Sequence, residues 1–156
     1  MNKKILYFDM DGVLVDLEAN IQQFFKHNPE LAKGQYKHRP DLIPNLFLDP
    51  PAVEGAIEAV KKLEESGKFE MFIATAAPWD NVESGAHKRM WIEKHFGKLF
   101  KKKMFITHRK DMLMGDYLID DRITNGAGEF SGEHIHFGTE KFPNWNVVVE
   151  HLLNQN

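Results

Sequence analysis

Residues 5–8, Ile-Leu-Tyr-Phe, form an unbroken apolar run that stops at Asp9-Met10-Asp11-Gly12. A run without polar alternation suits a strand buried on both faces. Such a strand belongs in a sheet covered on either side, which already restricts the architectures open to the chain. On a continuing strand, residues two apart share a side. Asp9 and Asp11 are therefore expected to face one space, with Gly12 allowing the sharp exit that keeps them accessible.

The same kind of segment recurs. Apolar strands are expected at 71–74, 104–106 and 117–119, with a weaker one at 135–137. Helical spacing predicts helices over 17–27, closed by Asn28-Pro29, and roughly 52–66, stopped by Gly67. A third is expected over about 81–96, with Asp80 as N-cap and Gly97 as its end, and a fourth over 145–153. Alternating strands and helices predict an α/β fold with a parallel sheet and helices on both faces. Residues 16–51, interrupted by Pro40, Pro44, Pro50 and Pro51, are too long for a simple loop. They are expected to form a small cap inserted after the first strand, with 1–15 and 52–156 as the core domain.

Composition narrows the function. At 156 residues, 42% hydrophobic and 28% charged, the chain suits one globular domain with a small insertion. A net charge of −3 gives no global attraction for nucleic acid polymers or anionic lipid. The absence of cysteine excludes disulfides, thiolate catalysis and Cys-ligated metal. No segment approaches a membrane span, and the lead from Met1 to Tyr7 is too short for a secretory signal, so a cytoplasmic protein is expected.

Ligands of open parallel sheets bind beyond the carboxyl ends of the strands. The first strand leads into Asp9 and Asp11, the second ends in Thr75, the third leads to Thr107-His108-Arg109-Lys110, and the fourth ends in Asp120-Asp121. Carboxylates crowded together repel one another, and a hard divalent cation such as Mg²⁺ resolves the repulsion. With a cation in place, a carboxylate can attack an anionic phosphoryl group, while a lysine and a threonine hold its oxygens. A second carboxylate two residues on is placed to serve as general acid and then base. Each piece has a plainer reading: a turn for D-x-D-G and for Asp120-Asp121, a strand residue for Thr75, a surface lysine for Lys110. Their order along the chain favours the joint reading. His134 and His136 lack an acidic partner at ligand spacing and read as structural, and Lys101–Lys103 as a solvated face.

Asp9-Met10-Asp11-Gly12-Val13-Leu14, Ile73-Ala74-Thr75, Lys110 and Leu118-Ile119-Asp120-Asp121 resemble, in order, the four motifs of the haloacid dehalogenase (HAD) superfamily. Asp9–Glu18, Ile43–Ala56, Lys88–Gly97 and Lys110–Arg122 are similar to the 5′(3′)-deoxyribonucleotidases within it. The resemblance implies a three-layer α/β/α Rossmann-like fold with a small helical cap. It implies Asp9 as nucleophile and Asp11 as acid/base. Mg²⁺ would be held by Asp9, the Asp11 backbone carbonyl and Asp121, supported by Asp120 and Gly12. Phosphate would be bound by Thr75, Lys110, Lys88 and Ala76.

Two positions depart from the better-known members: Ala76 where a serine is common, and Leu17 where a Phe packs against the base. Phe24, Phe25, Tyr36, Phe47 and Trp79 are candidates to pack on a base or sugar, but core packing is the favoured role for each of them. The expected reaction is hydrolysis of a nucleoside monophosphate. The alternatives are a phosphatase for a sugar phosphate or other small phosphomonoester, a nucleotide-binding protein without turnover, and a scaffold domain.

Overall fold

The structure, a computed structural model, describes residues 2–155; Met1 and Asn156, the outermost residues of the expected core, lie outside the described residues. Lys4–Phe8 forms β1, as the apolar run requires. Its neighbours are β2 (Phe69–Thr75) and β4 (Tyr117–Asp120), and the edges are β3 (Met104–Ile106) and β5 (Glu133–His136). All four pairings are parallel, in the order β3-β2-β1-β4-β5. The first strand therefore lies at the centre, and Asp9 leaves the middle of the sheet's carboxyl edge. β2 is longer than its apolar run because its pairing with β1 continues through Phe69 and exposed Glu70, a polar interruption that hides the strand's start.

Alternation along the strands divides the core. Leu6, Phe8, Met71 and Ile73 face one side, joining the helices α3 (Ala56–Glu65), α4 (Ser84–Phe96) and α5 (Trp145–Leu153) in a single buried cluster. The indoles of Trp91 and Trp145 are buried there, each donating its N–H to a carbonyl, of Pro50 and Val13 respectively. Tyr7, Ala74 and Leu118 face the other side against Ala127 and Phe130. The layer on that side is built from one-turn 3₁₀ helices at Lys110–Met112 and Ala127–Glu129. Such short turns bring the loops after β3 and β4 tightly back over the sheet, and so place Lys110 near its edge.

Residues between β1 and α3 carry an apolar cluster of their own. α1 (Leu17–His27), α2 (Pro29–Lys33) and a 3₁₀ turn at Pro40–Leu42 surround Ile21, Tyr36, Ile43, Leu46 and Phe47. α1 ends where Asn28-Pro29 was expected to close it, but Pro29 also begins α2, since a first-turn proline lacks only an N–H that would have no partner anyway.

Two helix starts differ from expectation. α3 begins at Ala56 rather than near 52 because the backbone of 51–53 pairs with 14–16: Asp16 N–H donates to Pro51, Val53 N–H donates to Leu14, and Val15 bridges Ala52. Gly55, at φ 79°, then turns the chain into the helix. α4 begins at Ser84, and Asp80 is no cap; its carboxylate accepts instead from Arg39 of the inserted segment.

Candidate active site

Five of the residues singled out by sequence lie where strands end. Asp9 follows β1, Thr75 ends β2, Lys110 opens the turn after β3, and Asp120-Asp121 closes β4. Past Asp9 the chain coils tightly, the Met10 carbonyl accepting from the N–H groups of Val13, Leu14 and Val15. Gly12 makes this possible twice over. Its φ is 78°, and a Cβ there would lie 2.1 Å from Asp121 Oδ2.

Lys110, 3% exposed, is the hub. Its ammonium donates to Asp9 Oδ1 at 2.9 Å and to Asp120 Oδ2 at 2.5 Å. The other Asp120 oxygen accepts the backbone N–H of Arg122. Burial alone would push the Lys110 ammonium down, but the Asp9 and Asp120 charges outweigh it and hold it above the ordinary lysine value. Asp9 is raised by burial, against the pull of Lys110.

Asp9, Asp120 and Asp121 each bring a carboxylate oxygen within 4.8 Å of the others. Asp120 is satisfied by Lys110 and Arg122, whereas Asp121 Oδ1 is buried without a partner. Burial, then the Asp9 and Asp120 charges, push the Asp121 carboxyl from 3.8 up to about 7. An oxygen-only set of like charges with one unpaired buried oxygen fits a hard divalent cation such as Mg²⁺.

A stability prediction follows from the sign. Folding raises the Asp121 value, so the folded chain binds that proton more tightly than the unfolded chain. Without added metal, this group makes stability fall as pH rises from the ordinary carboxylate value to about 7. Thermal melting of wild type and Asp121→Asn in chelator, across that window, checks it. The wild type should lose ground relative to the variant as pH rises, and Mg²⁺ should reverse the loss most at the upper end. Parallel curves would mean that burial and the neighbouring carboxylates do not raise Asp121 as described.

The second cation is Lys88, on α4. Its ammonium donates to Asp11 Oδ2 at 2.7 Å and to Thr75 Oγ1 at 2.9 Å, while the Phe47 ring lies 5.1 Å away. Asp11 is thus joined to Lys88, and its side chain stands apart from the Asp9-Asp120-Asp121 group.

A cavity of about 350 Å³ is lined by Asp9, Asp11, Lys110, Asp120 and Asp121, whereas Thr75 and Lys88 are buried and do not line it. Leu17, Ile21 and Phe47 from the inserted segment, with Ala76 and Pro78 from the loop after β2, add apolar lining, interspersed with Glu18 and Asp41. Arg39 pairs with Asp41 and Asp80, and the Asn81 side-chain amide donates to the Asp41 carbonyl. These contacts hold the inserted segment to the rim.

Not every candidate reaches this space. Phe24, Phe25 and Tyr36 pack in the cluster of the inserted segment, and Trp79 is 87% exposed on the loop beside Pro78. His134 and His136 stack on each other, hydrogen-bonded to the Asp120 and Asp121 carbonyls. They are structural, as expected, but they brace the acidic loop. Arg122, Thr124 and Asn125 also line the cavity and were not singled out from sequence; the only cue was the position of Arg122 directly after Asp120-Asp121.

Residues 18–147 match the family described as 5′ nucleotidase, deoxy (Pyrimidine), cytosolic type C protein. A protein of Vibrio phage KVP40 bearing the name 5′(3′)-deoxyribonucleotidase is 44% identical over 155 residues, spanning 99% of this chain and 88% of its own. The chain belongs to the 5′(3′)-deoxyribonucleotidase family. The human cytosolic-type 5′(3′)-deoxyribonucleotidase is 32% identical over 93% of this chain and 76% of its own. Members of this deoxyribonucleotidase family are phosphatases, so the chain is a hydrolase by kinship.

Among solved structures, the HAD-hydrolase YfnB of Bacillus subtilis, solved bound to magnesium, superposes with a TM-score of 0.59 at 12% identity. The alignment covers 99% of this chain and 100% of that one, and a Streptococcus pneumoniae TIGR4 hydrolase reaches 0.57 at equal coverage and identity. At that identity the likeness is one of fold. It agrees with the parallel five-stranded sheet and gives this chain the HAD architecture. No helix among the described residues is long and apolar enough to cross a membrane.

Proposed function

We propose that the chain removes the phosphate of a deoxyribonucleoside monophosphate through a phosphoryl intermediate on Asp9. The observation that carries this reading is Asp9 itself: a nearly buried carboxylate, held by Lys110, lining a cavity of about 350 Å³ together with Asp11 and Asp121. That volume is at the small end for ligand pockets. The lining offers cations for an anionic group, in Lys110 and Arg122, and apolar surface for a base, in Leu17, Ile21 and Phe47.

In the first step an Asp9 oxygen attacks phosphorus as the bond to the leaving oxygen breaks, and Asp11 supplies that oxygen with a proton. In the second, water gives a proton to Asp11 and attacks phosphorus, breaking the bond to Asp9 and restoring the enzyme. Thr75, Lys110, Lys88 and the backbone at Ala76 hold the phosphate oxygens. Asp9, the Asp11 carbonyl and Asp121 would hold a Mg²⁺ ion, whose charge screens the attacking carboxylate from the anionic phosphoryl group. Residues 16–51 act as the cap, and the apolar wall they supply keeps water from the reacting groups.

The ligand in this reading is a small nucleotide rather than a polymer, and the cytosolic-type human relative supports a cytoplasmic setting. Leu17, Ile21 and Phe47 line the wall where the base would lie. Release of phosphate from a panel of deoxyribonucleoside, ribonucleoside and sugar monophosphates, with Mg²⁺ and with chelator, tests it. Chelator-sensitive release favouring deoxyribonucleotides is expected. Release confined to sugar phosphates would move the assignment to another small phosphomonoester.

The contact between the cap and the rim gives a further expectation. Arg39→Ala removes both of the Arg39 ion pairs, which are largely exposed and so add little to stability. Its melting temperature should stay near wild type while KM rises several-fold with a smaller change in kcat. Steady-state kinetics beside a thermal melt check this; an unchanged KM would remove Arg39 from cap closure.

A further inference from the structure

Lys88 is 1% exposed, and a buried ammonium is costly unless it is paired. Asp11 Oδ2, 2.7 Å away, is its ion-pair partner among the described residues. The reverse dependence is the more telling one. The hydrogen bond from Lys88 is the single side-chain hydrogen bond that Asp11 makes among the described residues, and Asp11 Oδ1 is buried without a partner. Every other carboxylate oxygen at the floor that is held in place is held by Lys110 or Arg122. The direction of the Asp11 carboxylate therefore depends on one donor, delivered from α4.

α4 fixes that donor firmly. Ser84, Lys88, Trp91 and Ile92 share the buried face of the helix, so the lysine stem leaves a packed surface. Thr75 Oγ1 takes a second Lys88 N–H at 2.9 Å, and the Phe47 ring from the cap lies over the ammonium at 5.1 Å. Cation–ring attraction of this kind is strongest where water is excluded.

We propose that Lys88 is a positioning residue for Asp11: it aims the acid/base carboxylate, with Phe47 of the cap covering the pair. This deepens the role of phosphate binder and rests on the reading of Asp9 and Asp11 given above. A residue that only binds phosphate affects all substrates alike. A residue that aims the general acid affects only substrates whose leaving oxygen needs a proton.

The test compares single-turnover release of the leaving group from a deoxyribonucleoside monophosphate and from p-nitrophenyl phosphate, whose leaving group departs unprotonated. Lys88→Met should slow the nucleotide by about 10²-fold or more, the scale of general acid catalysis, and the aryl phosphate far less. Asp11→Asn should show the same imbalance. Adding Lys88→Met to Asp11→Asn should not enlarge it, since the two act through one group. Equal slowing of both substrates, or an imbalance that grows further in the double variant, would overturn the proposal. If Lys88→Met does not fold, Phe47→Leu takes its place: it uncovers the ammonium without removing it and should shift the ratio in the same direction, and an unshifted ratio would count against the proposal. Wild type that releases neither leaving group would sink the phosphatase reading instead, a separate failure visible before any variant is made.

Discussion

Asp9→Asn is expected to lose phosphatase activity by about 10⁴-fold or more while keeping its fold, the scale seen when an attacking residue is removed. An amide has no anionic oxygen to form an acyl phosphate, so the first step has no substitute. The structure explains why folding should survive. The Asp9 backbone N–H bonds to the Ile119 carbonyl irrespective of the side chain, and an Asn oxygen can still accept from Lys110. The change also removes one of three crowded charges, which relieves Asp121. Activity assays beside a thermal melt separate chemistry from folding. A folded Asp9→Asn protein with wild-type turnover would end the account of Asp9 as nucleophile.

Lys110→Met should fail in the opposite way, through stability as much as activity. The lysine is 3% exposed and bridges two buried carboxylates at 2.9 and 2.5 Å. Removing one partner of a buried pair costs roughly 3–5 kcal/mol, because the charges left behind are neither solvated nor paired. Domains have only about 5–15 kcal/mol in hand, so the melting temperature should fall on the order of 10 °C. Mg²⁺ should recover part of that loss, since a cation at the same carboxylates offsets the missing ammonium. Denaturant titration with and without Mg²⁺ measures both effects. A variant as stable as wild type would mean that Lys110 is not the hub of the site.

The difference between these two variants mirrors what could be read from sequence. Asp9, Thr75, Lys110 and Asp120-Asp121 were legible because each ends or follows an apolar strand, and parallel topology carries strand ends to one edge. The pairings among them were not, since no local pattern states which carboxylate a lysine will meet. Lys88 and Asp11 stand 77 residues apart, and only the packed face of α4 brings them together. Asp80 shows the same limit from the other side. Its position before a helical pattern predicts a cap, but Arg39, 41 residues away, offers a charged partner and the helix starts later. The early start expected for α3 failed for a similar reason, because the backbone of 51–53 pairs with 14–16. Local propensity placed the strands; long-range pairing placed the helix ends and the partners of the candidate site residues.

The most direct test of the central claim is to look for the phosphoryl group on Asp9. Enzyme turning over a deoxyribonucleoside monophosphate with Mg²⁺ would be quenched in acid, reduced with borohydride, which converts an acyl phosphate to homoserine, and mapped by peptide mass spectrometry. Homoserine in place of Asp9, absent without substrate and absent in Asp9→Asn, is the predicted result. Steady phosphate release with Asp9 unmodified, or with the mark on another carboxylate, would contradict it.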